Sequence, residues 1–158
     1  MPRFAAIDVG SNALRLRVVE AEAPSQAGTP RLAQIKSRGP WRDLATQRAP
    51  VRLGAEVFLS GRLTPTSIGQ ACGALREFRQ EMDRWKVDAY RAIATSAVRE
   101  AKNGGTLVER ARREAAIELE TIEGIEEARL ITLAVTRRIE IGDRRVLLAD
   151  VGGGSTEL

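Results

Sequence analysis

Two segments at opposite ends of the chain carry residues suited to handling phosphate. One reads Ala6-Ile7-Asp8-Val9-Gly10-Ser11-Asn12, the other Leu148-Ala149-Asp150-Val151-Gly152-Gly153-Gly154-Ser155-Thr156. In each, an apolar run of buried-strand character leads to an aspartate, then to glycine and a hydroxyl residue. Glycine lets the backbone turn sharply and present N–H groups without an obstructing Cβ, which makes an anion cradle. Gly10, Ser11 and Asn12, and Gly152, Gly153, Gly154, Ser155 and Thr156, are the cradle candidates. An aspartate at the strand end is placed to hold Mg²⁺ or its water, which singles out Asp8 and Asp150. A tight strand-to-strand turn that merely needs glycine is the plain alternative for either segment alone. Neither segment is a P-loop, since no Gly-Lys-Ser/Thr follows, and neither has the glycine spacing of a dinucleotide fingerprint. The repetition suggests two lobes that each offer one loop to a shared cleft.

The bulk composition narrows the chemistry. The 158 residues contain no histidine, which excludes Ser-His-Asp and Cys-His catalysis and His-ligated zinc within this chain. Any general base is then a carboxylate. The lone cysteine, Cys72, cannot form an internal disulfide and falls on the apolar face of an expected helix, where it reads as core filler. One cysteine, no apolar stretch of membrane-spanning length and an N-terminal run interrupted by Asp8 together suggest a cytoplasmic protein without a membrane partner.

The net charge is +4, and Lys36, Lys86 and Lys102 are the only lysines among 25 basic residues. Arginine grips phosphate in a forked, bidentate way that lysine cannot match. The excess concentrates between Arg31 and Arg52, where Arg31, Lys36, Arg38, Arg42, Arg48 and Arg52 face only Asp43. This stretch is either a solvated loop or a landing surface for a polyanion. Aromatic residues are 4% of the chain, so stacking platforms for nucleic acid are poorly supported.

The elements that must position these residues follow from periodicity. Residues 3–8 and 14–20 read as strands flanking the first loop, with a third strand around Arg31–Lys36. The segment 37–54, basic and broken by proline and glycine, reads as a loop. Thr64-Pro65 opens a helix whose stripe is Ile68, Ala71, Cys72, Leu75, Phe78, Met82 and Trp85. A strand at 89–94, a helical turn at 95–100, a helix near 106–117 after the break Asn103-Gly104-Gly105, and a strand at 119–123 follow. A helix over 126–139 and a last strand at 145–151 complete the chain. This order gives an α/β fold built on a ribonuclease-H-like mixed sheet with flanking helices.

Several motifs in this order resemble the N-terminal part of the exopolyphosphatase and guanosine pentaphosphate phosphatase family. They are Ile7–Asn12, Ala94–Gly104, Gly124–Ile131 and Asp150–Leu158, with a weaker echo in Arg52-Leu53-Gly54 and Gly61-Arg62-Leu63. The resemblance implies one lobe of an actin-like ATPase fold plus the first strand of a second lobe. Residues 1–124 would form the lobe with the first phosphate loop, and 125–158 the linking helix and the start of a truncated second lobe. It further implies Mg²⁺-dependent release of terminal phosphate from inorganic polyphosphate or guanosine penta/tetraphosphate, with a homodimer of the intact protein an open possibility. By position, Glu127 matches the general base, and Asp150 and Glu157 match acidic residues near the metal and the water. The glycines and hydroxyls of both loops match the phosphate cradle, and Arg99 the basic residue that reaches the phosphates.

Simpler roles stand beside these: Glu127 as a carboxylate favoured at a helix N-terminus, and Arg99 as an ion-pair partner of Glu100 or a nearby acid. Ala13 stands where the family often has a small hydroxyl residue, and the basic stretch 37–51 is longer than usual. The chain reads as a fragment, and an isolated first lobe would expose an unpaired edge and an apolar face. The rival functions are a non-catalytic polyphosphate- or nucleotide-binding module and an actin-like ATPase or kinase.

Overall fold

The computed structural model describes residues 1–21, 41–139, 142, 145–152 and 156–157. Its centre is a five-stranded mixed sheet in the order β3-β2-β1-β4-β5. The strands are β1 (Arg3–Val9), β2 (Leu14–Ala21), β3 (Trp41–Ala49), β4 (Ala89–Ala94) and β5 (Leu119–Thr121). β1 runs antiparallel to β2 and β2 to β3, whereas β1–β4 and β4–β5 are parallel. The parallel steps require crossovers, and these are the helices α1 (Leu53–Ser60), α2 (Pro65–Arg84), α3 (Ser96–Glu100) and α4 (Gly104–Ala115). α5 (Gly124–Thr136) follows, and β6 (Asp150–Val151) and β7 (Thr156–Glu157) form a separate antiparallel pair.

The core lies on one face of the sheet. Strand alternation sends Ala5, Ile7 and Val9, Leu14, Leu16 and Val18, and Ala92 and Ala94 inward, where they meet the α2 stripe of Ile68, Ala71, Cys72, Leu75, Phe78 and Met82. Thr64 caps α2 by accepting a hydrogen bond from the Ser67 N–H at 3.2 Å, with Pro65 in the first turn. Glu56 of α1 joins this cap, accepting from the Thr64 N–H and hydroxyl and from the Ser67 hydroxyl. Those donors hold its carboxyl below the usual range, Ser67 most of all. By contrast, α5 buries no residue, and Ile125, Leu133, Ile139, Val146 and Leu147 are exposed. Among the described residues, no helix is long and apolar enough to cross a membrane.

Three expectations require correction. The segment 37–54 is not a loop throughout: Trp41–Ala49 is a strand and α1 begins at Leu53. As the outermost strand, β3 needs partners only from β2, and its half-buried positions are enough for one shielded face. Gly104 and Gly105 do not break the chain but form the first turn of α4. Of the strand expected over 145–151, only Asp150–Val151 pairs, with β7. The strand expected at Arg31–Lys36 lies outside the described residues.

Gly104 shows why glycine is required at the start of α4. A Cβ there would stand 2.1 Å from the Val98 carbonyl oxygen, a backbone atom with little freedom to move. Gly104→Ala is expected to cost about 1–3 kcal/mol through overpacking, read as a lower urea midpoint with an unchanged m value. An unaltered midpoint would show that α3 and α4 can separate freely.

Candidate active site

The site starts from the level ends of two parallel strands. Val9 and Ala94 are register partners, so the first glycine loop and the Thr95-Ser96 turn leave the sheet side by side. The Thr95 N–H donates to the Val9 carbonyl at 3.2 Å. Gly10 closes the loop with an N–H bond of 3.2 Å to the Ala13 carbonyl. The Ser11 hydroxyl turns inward and meets the Ser96 hydroxyl at 3.1 Å in a buried contact. On the other side, the Gly54 N–H donates to the Ser11 carbonyl at 2.9 Å, and a Cβ on Gly54 would lie 2.7 Å from the Ser11 Cβ. The loop is thus clamped between α1 and α3, with Asn12 exposed at its tip.

Asp8 sits at the strand end, on the face away from the core. Arg15, its register partner on β2, approaches with Nη1 3.6 Å from Oδ2. Partial burial pushes the Asp8 carboxyl up, Arg15 pulls it down and the charge of Asp150 adds to the rise. Asp150 pairs in register with Glu157, and Val151 with Thr156. Gly152 is exposed, whereas Gly153, Gly154 and Ser155 lie outside the described residues. Among the described residues, no group of three or more acidic, cysteine or histidine side chains forms a closed cage. Mg²⁺ is commonly held by one or two carboxylates together with substrate phosphates, and the hard oxygens of Asp8 and Asp150 fit that pattern.

Glu127 lies in the first turn of α5 and Arg99 near the end of α3. The Arg99 guanidinium donates to the Ile122 carbonyl at 2.7 Å and stands 3.5 Å from Glu127 Oε2, with both side chains largely buried (21% and 15% exposed). Arg99 therefore fixes both the glutamate and the backbone that leads into its helix. Its partner is Glu127, not Glu100, which is exposed.

Two further features escaped the sequence reading. Ser96 couples the first loop to the helix of Arg99, although it stands inside the Ala94–Gly104 motif and could have been suspected there. The other is a charge network that docks α5 on the sheet. Arg91 of β4 holds Glu120 in a bidentate bond at 3.0 and 3.1 Å and reaches Glu126 at 3.4 Å. Arg129 grips the same Glu126 at 2.6 and 2.9 Å. No spacing rule connects Arg91 with Glu126, because β4 and α5 meet only in the fold.

Arg129 first and Arg91 second draw the Glu126 carboxyl down to about 2 from the ordinary 4.5. A depressed carboxylate stabilises the fold above its unfolded pKa, and that contribution disappears as pH falls through the folded value. Glu126→Gln should therefore lower Tm at neutral pH, with the gap to the parent protein closing between about pH 4.5 and about pH 2. A gap that persists unchanged at pH 2 would assign the effect to packing instead of charge.

Residues 32–158 match the Ppx/GppA phosphatase family. Exopolyphosphatase 1 of Mycobacterium bovis and that of Mycobacterium tuberculosis are each 32% identical over 156 residues, covering 99% of this chain and 41% of their own length. The chain thus spans about two-fifths of the curated relatives it matches. The crystal structure of a Cytophaga hutchinsonii exopolyphosphatase superposes with a TM-score of 0.83 at 28% identity, over 98% of this chain and 45% of that one. An Aquifex aeolicus family member superposes with a TM-score of 0.78 at 30% identity, over the same shares of the two chains. With its motifs in order and its mixed sheet shared with these structures, the chain belongs to the Ppx/GppA phosphatase family.

Proposed function

We propose that this chain supplies the first phosphate loop and the water-activating carboxylate of a phosphohydrolase that releases terminal phosphate from inorganic polyphosphate. The observation that carries this reading is the first glycine loop clamped through Ser11 and Ser96 to the helix of Arg99, whose guanidinium holds Glu127. Guanosine pentaphosphate, which ends in the same kind of phosphoanhydride, is the second substrate class.

Phosphoryl transfer demands positioning and charge neutralisation more than covalent help from the protein. The Ser11 and Asn12 N–H groups of the first loop receive the terminal phosphate, the Gly10 N–H being taken by the Ala13 carbonyl, and Asp8 and Asp150 are the residues that would hold Mg²⁺. When bound, that cation neutralises phosphate charge at the reacting centre. Glu127 accepts the proton of the attacking water, a role left to carboxylates in a chain without histidine. Arg99 orients Glu127 through their ion pair and is the basic residue that would reach the phosphate oxygens. Glu157, the register partner of Asp150, supports the water from the second segment.

Glu127→Gln should leave polyphosphate affinity within about twofold while lowering phosphate release by about 10²–10⁴-fold, the range of a positioned general base. Both are measured in the protein with the length of its relatives. Unchanged release would remove Glu127 from water activation. Binding without any release by the parent protein would instead assign it as a polyphosphate-binding module, and ATP hydrolysis without polyphosphate cleavage as an ATPase.

A further inference from the structure

Asn103 stands at a helix start without serving it. It is the N-cap residue of α4, a position that favours asparagine because the side-chain oxygen can accept a free N–H of the first turn. That bond is not made here. The side chain instead reaches a turn 40 positions away: Asn103 Oδ1 accepts from the Leu63 N–H at 2.9 Å, and Nδ2 donates to the Leu63 carbonyl at 2.9 Å. One half-buried amide thus satisfies both backbone groups of a core residue. Beside it, the Lys102 N–H donates to the Gly61 carbonyl at 3.0 Å.

The turn held in this way closes α1. Gly61 is the C-cap of that helix, with a left-handed φ of 70° and its N–H on the Val57 carbonyl. At the other end, the Gly54 N–H lies in the first turn, where no carbonyl of the helix can receive it, and the Ser11 carbonyl does so instead. Eight residues at a rise of about 1.5 Å make α1 a strut about 12 Å long. One end is tied to the first loop, the other to the residues that directly follow the helix of Arg99. The Ser11–Ser96 contact closes the circuit on the opposite side.

We propose that Asn103 is a positioning residue that, through Leu63 and α1, fixes the distance between the first phosphate loop and Arg99. The proposal rests on the polyphosphate reading above and goes beyond it by tracing the placement of the loop to a side chain outside the site.

The test separates this tie from helix capping and from general stability. Asn103→Ser and Asn103→Asp keep residues that start helices well. A single hydroxyl oxygen cannot span both Leu63 groups, however, and an ionised carboxylate has no proton for the carbonyl. In the protein with the length of its relatives, both variants, like Asn103→Ala, should speed amide hydrogen exchange at Gly54 about tenfold relative to β1, the loss of one to two hydrogen bonds. They should also raise KM for long-chain polyphosphate about tenfold with kcat within about threefold. Ile117→Val, which trims a fully buried side chain, is the stability control and should change neither the relative Gly54 exchange nor KM. Serine or aspartate behaving like the parent residue would assign Asn103 to capping and overturn the proposal. Unchanged Gly54 exchange in Asn103→Ala, or equal acceleration throughout β1, overturns it too. A fall in kcat at constant KM does the same, because it reports a smaller folded fraction. A parent protein that cleaves no polyphosphate overturns the polyphosphate reading alone, and Gly54 exchange then still decides the tie.

Discussion

The candidate site depends on the parallel pairing of β1 with β4. That pairing ends both strands at one level, with Val9 opposite Ala94, so two turns leave the sheet from the carboxyl ends of neighbouring strands. Ligand sites of α/β sheets lie at such ends because loops there converge while the strands beneath stay rigid. The convergence is then locked by short polar contacts: Thr95 to Val9, Ser11 to Ser96, Gly54 to Ser11. Without the parallel register these contacts would be out of step, and the first loop would have no fixed relation to Arg99.

A second dependence is electrostatic. α5 has no fully buried residue, yet the Glu127 side chain it carries is largely shielded and faces Arg99. Its first turn is held by charge: Arg99 grips Glu127 and the Ile122 carbonyl, and Arg91 and Arg129 grip Glu126. These contacts differ in weight. The exposed Arg91 and Arg129 pairs are screened by water and by salt, whereas the Arg99–Glu127 pair is largely shielded and stays strong. The arrangement places the shielded contact on Glu127, the residue proposed above to activate water.

Much of this was readable from the residues. The strands around the first loop, the α2 stripe with Cys72 in the core, the 89–94 strand and the short helix of Arg99 all follow from local periodicity and capping. The errors share one cause. β3 carries five polar or charged residues among nine and no fully buried position, so its sequence resembles a loop. It becomes a strand because β2 presents an open edge, a circumstance that no local window contains. Gly104-Gly105 likewise resembles a break until the Val98 carbonyl is seen pressing on Gly104, where only glycine fits. At the site, the Arg91–Glu126 and Ser11–Ser96 links join residues 35 and 85 positions apart, far beyond any helical or strand spacing.

By itself the sequence determined the inventory of chemistry: two Asp–glycine segments, carboxylates but no histidine, and an arginine-rich charge suited to phosphate. Those are consequences of side-chain identity, and no fold can add or remove them. The tertiary structure alone decided which members of that inventory meet. It paired Arg99 with Glu127 instead of Glu100 and joined the Ser11 hydroxyl to that of Ser96. The physical reason is that charge and hydrogen bonding act over a few ångströms, and strand register determines which distant residues come that close.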